Sequence, residues 1–320
     1  MKVLVFLAGL LASTMAWANE RTVTDDAGRS VTIPADPQRI VVMHEPVLGI
    51  PLIELGIVPV GSYGRAPSGK SLIGVDFIET IFDADIRKPE GIGTVGQISL
   101  EKLRSLKPDL ILASELDLNK LDQLEPIAPV YIKHVRTPQT SGFNIQKQLA
   151  KLFRKEKEFE TLQANYRERV RKLAQTLHKA EVNPSYLAVF LTDQINAIEQ
   201  ISGAIQAIED LGYQRLSLGE QDIQRDSILF VPISSEVFGT LDPDLLVVMN
   251  SFQNRAADHK TGAKEALDQI TPGWNYFLKP AKENRIVYLD SSKVTTPTIA
   301  SANHTLDSIE AWLQTSSTNQ

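Results

Sequence analysis

Ile98-Ser99-Leu100-Glu101-Lys102-Leu103-Arg104-Ser105-Leu106-Lys107-Pro108-Asp109-Leu110-Ile111-Leu112 has a counterpart 135 positions further on: Ile233-Ser234-Ser235-Glu236-Val237-Phe238-Gly239-Thr240-Leu241-Asp242-Pro243-Asp244-Leu245-Leu246-Val247. The two stretches align without a gap. Each opens Ile-Ser-x-Glu, passes through Leu-x-Pro-Asp-Leu and ends in an apolar run. Ser99 and Ser234 suit the N-cap of a short helix, and Glu101 and Glu236 sit in its first turn, where the helix dipole favours negative charge. Pro108 and Pro243 end that helix, because the residue before a proline avoids the helical region. The apolar run that follows has the length and continuity of a strand buried on both faces. A helix-turn-buried-strand unit that occurs twice predicts two α/β lobes of similar build.

The rest of the chain fills in around these units. Thr22 to Ile33 alternates about a turn at Asp26-Ala27-Gly28 and reads as a hairpin. Ile40 to Met43 is a first buried strand, and a helix from Pro46 to about Leu55 is closed by Gly56. Val58 to Gly61, Leu110 to Ala113 and Val130 to Ile132 are further strands, with a helix at Leu116–Leu124 and a less regular stretch at 71–93. This β-α-β order argues for a mainly parallel sheet with helices on both faces. From 144 to 183 there is no proline or glycine. Phe159, Leu162, Tyr166, Val170, Leu173 and Leu177 recur at helical spacing. That is one long helix, or a short one at 144–153 followed by one at 156–179 of roughly 36 Å at 1.5 Å per residue, long enough to reach from lobe to lobe. The pattern then restarts with strands at Tyr186–Leu191, Leu245–Met249 and Arg285–Leu289. Helices at Ser202–Leu211, Ala263–Ile270 and Thr298–Leu313 complete it. The fold class is therefore α/β, with two lobes of mainly parallel sheet and a long helix, or helix pair, able to reach between them. The divisions fall at 1–18, 19–142 (N-terminal lobe), 143–180 (linking helix region) and 181–320 (C-terminal lobe).

Composition narrows the function. The 320 residues carry a formal net charge of −6 and no strongly basic stretch, so no nucleic acid is expected as partner. Residues 1–18 join a positive start, an apolar run from Val3 to Leu11 and Ala16-Trp17-Ala18, the pattern of a secretory signal peptide cleaved near Ala18. No later run of 18 apolar residues was found, so the mature chain is expected to be periplasmic and not membrane-inserted. With no cysteine, disulfides, thiolate metal sites and cysteine nucleophiles are excluded. Gly-x-Ser-x-Gly and His-Glu-x-x-His are absent. Gly64 to Ser71 matches the phosphate-loop pattern, but Gly74 and Asp76 follow where a helix should open, so the match reads as chance. Asp109 and Asp244 read as turn residues at strand starts.

In an open α/β sheet ligands lie outside the carboxyl ends of the strands. That rule selects His44-Glu45, Ser62 to Arg65, Thr94 to Ile98 and Ser114-Glu115 in the first lobe. In the second it selects Thr192 to Gly203, Gln224-Arg225, Asn250 to Arg255 and Asp290 to Thr296.

The ordered set Val31-Thr32-Ile33-Pro34, Pro37-Gln38-Arg39-Ile40-Val41-Val42, Leu55-Gly56-Ile57-Val58-Pro59-Val60-Gly61, Gly93-Thr94 through Leu110-Ile111, and Val287-Tyr288-Leu289-Asp290-Ser291 resembles the periplasmic substrate-binding proteins of the iron-siderophore, haem and cobalamin class. Ile92-Gly93-Thr94-x-x-Gln97-x-Ser99-Leu100-Glu101 resembles the ferric dicitrate-binding type most. The resemblance implies two α/β lobes joined by one long rigid helix, a ligand cleft between the lobes with little hinge motion, no catalysis, no resident cofactor, and a monomer. It implies two partners, a ferric siderophore and an inner-membrane ABC permease.

A ferric siderophore arrives with its iron already coordinated, so cationic forks and hydrogen-bond donors are needed rather than metal ligands. Arg65 is the first expectation, followed by Arg225, Arg255 and Lys293. Tyr63, Phe252 and Trp274 suit apolar parts of a ligand, and Gln97 and Asn250 suit hydrogen bonding. His44 suits a ligand contact or haem iron, but no two histidines stand at metal-ligand spacing, and no metal site is expected. Asp117, Asp122, Asp258 and Glu265 are the acids expected to dock on a permease. A haem or cobalamin receptor of the same fold, or an exported α/β enzyme, remain the alternatives.

Overall fold

The structure, a computed structural model, describes residues 20–82, 86–94, 97–137, 141–177, 184–198, 202–218, 230–252 and 258–318. The signal-peptide expectation, Arg225 and Arg255 lie outside them. Strands β1 (Glu20–Thr24) and β2 (Ser30–Pro34) form the expected antiparallel hairpin. The N-terminal sheet takes β3 (Ile40–Val42), β4 (Gly61–Ser62), β5 (Glu90–Gly91), β8 (Leu110–Ser114) and β9 (Val130–Lys133) in the order β5-β4-β3-β8-β9, all parallel. A separate two-stranded ribbon pairs β6 (Gly93–Thr94) with β7 (Gln97–Ile98). The C-terminal sheet orders β13 (Phe230–Ile233), β11 (Ile195–Ile198), β10 (Ser185–Leu191), β14 (Leu245–Asn250) and β15 (Ile286–Leu289), with β12 (Gln214–Arg215) paired to β10. Helices α1 (Ile50–Glu54), α2 (Phe77–Phe82), α3 (Leu100–Ser105), α4 (Leu121–Leu124), α5 (Asn144–Leu152) and α6 (Glu156–Leu177) belong to the first half and the link. Helices α7 (Gly203–Asp210), α8 (Ser235–Thr240), α9 (His259–Ile270), α10 (Trp274–Phe277), α11 (Lys279–Lys282), α12 (Ser291–Val294) and α13 (Ile299–Thr318) complete the second.

The repeated unit folds as its sequence dictates. The Ser99 hydroxyl accepts from Lys102 N and the Ser234 hydroxyl from Val237 N, each at 3.2 Å, capping α3 and α8. The strands that follow, β8 and β14, are buried along their whole length. The repeated aspartates act as staples. Asp109 accepts from Gln38 N and Arg39 N at 2.7 and 2.8 Å, immediately before β3. Asp244 accepts from Ser185 N at 2.6 Å, at the first residue of β10. Each thus fixes the start of a strand to that of its parallel neighbour, at the end of the sheet away from the ligand-facing ends.

The second sheet departs from the parallel pattern in one place. Between β10 and β11 there are only three residues, too few for a crossover, so β11 returns antiparallel. Residues read as loop, Ile195–Ile198, are therefore strand, and β13 joins antiparallel beside them. The helix read at Leu116–Leu124 is a 3-10 turn over Glu115–Lys120 followed by α4.

The link is two helices, not one. The break falls at Phe153–Lys155, where Arg154 has φ of 57°. Helix α5 packs on α1, and α6 on α13. Arg169 of α6 donates to Asn303, Asp307 and Glu310 of α13, and the Tyr166 hydroxyl donates to Asp210 of α7 at 2.7 Å. Helix α6 is thus committed to the second lobe, whereas α5 packs on the first and also meets the second, Gln146 Oε1 accepting from Ile299 N of α13 at 3.2 Å. What joins the lobes is a single apolar core: Ile33, Val42, Leu110 and Ile145 share one cluster with Tyr166, Ala188, Leu245 and Leu306. A second tie is the strap after β4. Its α2 packs against α12, Thr80 donates to Ser292 O at 2.7 Å, and the Phe77 ring meets Phe252 edge-on at 5.6 Å.

The strap hangs on Arg65, which is 1% exposed. A guanidinium has five N–H groups, and all five are engaged. Nε and Nη2 donate to Glu45 at 2.5 and 2.6 Å, Nη1 and Nη2 donate to Asp76 at 3.0 and 2.7 Å, and Nη1 also reaches Gly69 O at 2.6 Å. Gly91 leaves room for this loop: a Cβ there would stand 2.0 Å from Arg65 O. Arg65 therefore has no donor left for a ligand, which corrects the leading expectation. The same knot occupies the loop that matches the phosphate-loop pattern, and the next helix opens only at Phe77.

Arg65→Ala strands the buried Glu45 carboxylate, and we expect a loss of about 3–5 kcal/mol in denaturant unfolding, only partly restored by Arg65→Lys. Burial pushes the Asp76 carboxyl up, but bonds from Arg65 and Lys88 outweigh it and hold the group at about 2, below its ordinary 3.8. Its stabilisation is therefore complete above about pH 4 and is lost as pH falls through about 2. The thermal-midpoint gap between wild type and Asp76→Asn should close over that window.

Candidate ligand-binding cleft

Two faces meet at the carboxyl ends of the sheets. On the first lobe, His44 follows β3 and Tyr63 follows β4, held there because their strands pair in register with β8 and β5. The His44 Nδ1 and the Tyr63 Oη are buried and have no hydrogen-bond partner among the described residues. Such atoms are rare in a folded chain, since each carries the full desolvation cost of an unmade bond. Burial holds the His44 imidazole below its ordinary value, with Arg136 adding to the shift and Asp117 and Glu115 opposing it, so the ring is neutral at pH 7.

The Lys120 ammonium stands over the Tyr63 ring at 5.6 Å and bonds Asp117 at 2.7 Å. Asp117 is 3% exposed and also accepts from Ser114 N and Oγ, closing a capping box. It is thus a positioning acid for Lys120 and not a docking acid on the rim, contrary to the sequence expectation. Glu115 accepts from Val135 N and Arg136 N at 2.9 and 2.8 Å, tying the loop after β9 to the loop after β8. Arg136 is exposed at the tip of that loop.

On the second lobe, Asn250 ends β14, nearly buried, with its Oδ1 taken by Ser251 N at 2.9 Å. Asp290 follows β15 and caps α12 through Ser292 N. Phe252 packs between Phe77 of the strap and Phe190 of β10, 5.3 Å away. Between these residues and the strap lies a cavity of 640 Å³ lined by Asp76, Glu79, Thr80, Asn250, Ser251, Phe252, Asp258, His259, Asp290 and Ser292. Among the described residues its lining holds carboxylates and no lysine or arginine. Lys120 and Arg136 carry positive charge at the His44–Tyr63 end of the cleft.

The structure brings together some of the expected residues. Asn250, Phe252 and Asp258 line the cavity, and Asp258 also caps α9 through Thr261 N at 2.9 Å. Lys293 is partly exposed one turn into α12. Gln97 is exposed on the β6–β7 ribbon and does not line the cavity. Asp122 and Glu265 are exposed on α4 and α9. Trp274 is 5% exposed inside the second apolar core, with its indole N–H on Asp268 at 2.8 Å, so it packs the lobe and offers no face to a ligand. Lys120 and Arg136 were missed. The strand-end rule reaches both, but the loop after the fourth strand was passed over, and Lys120 lay in a stretch read as plain helix.

Among the described residues no group of three or more His, Asp or Glu side chains could hold a metal ion, and no helix is long and apolar enough to cross a membrane. Among known proteins, the chain is 27% identical over 309 residues to the putative ABC transporter substrate-binding lipoprotein YhfQ of Bacillus subtilis, covering 90% of each. It is 30% identical over 175 residues to the Fe(3+) dicitrate-binding periplasmic protein FecB of Escherichia coli, covering 54% of this chain and 55% of that one. The structure of Staphylococcus aureus SirA complexed with staphyloferrin B superposes with a TM-score of 0.70 at 22% identity, over 92% of this chain and 98% of that one. Residues 67–293 match the periplasmic binding protein family, and with two α/β lobes meeting at their strand ends the chain belongs to that family.

Proposed function

We propose that this protein is an extracytoplasmic receptor that captures a ferric siderophore of carboxylate or hydroxamate type and delivers it to an inner-membrane ABC importer. One observation carries the reading: two buried polar atoms at the strand ends, His44 Nδ1 and Tyr63 Oη, lack partners among the described residues, and the Lys120 ammonium stands over the Tyr63 ring. A neutral imidazole, a phenol and a cation together suit an oxygen-rich anion whose metal is already fully coordinated. Arg136, exposed after β9, and the carboxylates lining the cavity orient such a ligand toward the first lobe. The names of the relatives point the same way. FecB is called an Fe(3+) dicitrate-binding protein, and a second Bacillus subtilis relative, 27% identical, is called a probable siderophore-binding lipoprotein. The signal-peptide pattern supports export to the periplasm, and Asp122, Asp258 and Glu265 remain the acids offered to a permease. The family is one of binding proteins, and the cleft residues fit reception rather than turnover.

Isothermal titration tests this with ferric dicitrate and a ferric trihydroxamate. At least one should bind. Lys120→Ala should weaken it about 10- to 100-fold, the range of one charge-assisted bond, and Tyr63→Phe by a smaller factor. Binding of haem or cobalamin with neither ferric complex would sink the siderophore reading. Wild-type affinity in Lys120→Ala removes the first-lobe cation from it.

A further inference from the structure

Glu54 is the last residue of α1, and its carboxyl takes no part in the cleft. One oxygen accepts from Gln146 Nε2 at 2.7 Å. Gln146, on α5, is 0% exposed, and its own Oε1 accepts from Ile299 N at 3.2 Å. The backbone amides of Ala300 and Ile299 also bear on the Glu54 carboxylate. Three elements converge on this group: α1 of the first lobe, α5 of the link, and the first turn of α13 from the second lobe.

Among the described residues no cation neutralises the carboxyl. Lys147 and Lys151 lie on the exposed side of α5. On α13, His304 bonds Ile81 O at 3.0 Å and Asp307 is held by Arg169. Glu45, before α1, is bound by Arg65, and Glu79 of α2 by Lys88. Burial pushes the Glu54 carboxyl from 4.5 up to about 7, against the pull of Gln146 and the two amides.

We propose that Glu54 is a proton-responsive tie between the lobes, its protonation setting how firmly the first turn of α13 is held to α1 and α5. The direction follows from linkage. The enclosed carboxyl keeps its proton to higher pH than it does once α13 parts from it and water enters. Between about pH 4.5 and 7 the closed contact binds a proton that the parted form has lost. The tie is therefore at full strength below that window, weakens as pH rises through it, and is constant above. It rests on the fold alone and stands whichever ligand the cleft takes.

Amide hydrogen exchange on the whole chain tests the proposal, read as protection factors at residues 299–302. In the wild type these should fall on the order of 10- to 100-fold between about pH 5 and pH 7.5, and in Glu54→Gln they should not change with pH. A flat wild-type profile, or a Glu54→Gln profile with the wild-type slope, overturns the proposal. Should the variant not fold, carboxyl-carbon NMR of the wild type decides. A Glu54 midpoint near 7 supports the tie, and one near 4.5 ends it.

Discussion

The Arg65 guanidinium is the constraint on which the cleft depends. Its five donors join the turn after β3, the loop after β4 and the start of the strap in one buried knot. Burying a charge is expensive, and only a complete set of partners offsets it. With the set complete, the strap carries α2 to α12 and Phe252 in the other lobe. Tyr63 stands two residues before Arg65 on the same loop. An arginine that first reads as a ligand contact is instead what keeps the neighbouring contacts in place.

Much of the fold was readable in the sequence, because the features that set it are local. Ser99 and Ser234 cap the helices they were expected to cap, and the runs after Pro108 and Pro243 are buried strands. The strand at Ile195–Ile198 was not readable, because a three-residue return gives no pattern of its own and only pairing with β10 and β13 makes it strand. The stretch 144–177 stood open between one helix and two, and the turn at Arg154, with φ of 57°, makes it two.

The site was less legible, for a related reason. Sequence shows which loops lie at strand ends, but not which charges are spent inside the protein. Arg65 and Lys120 are both cations near strand ends. One is saturated by Glu45 and Asp76, and the other is steered by Asp117 over Tyr63. Trp274 failed in the same way: it stands after a helix break, as a ligand platform would, yet its ring completes an apolar core. The informative atoms, His44 Nδ1 and Tyr63 Oη, are distinguished by what they lack, which no sequence pattern encodes.

The core shared by the two lobes also bears on the order in which the chain can fold. Ile299, Ala302, Leu306 and Ile309 of the closing helix sit in the same cluster as Ile33 and Val42 near the start. A nascent chain therefore lacks part of the packing around its first strands until its last residues emerge. The segment made first has no finished native packing until the closing helix docks on it.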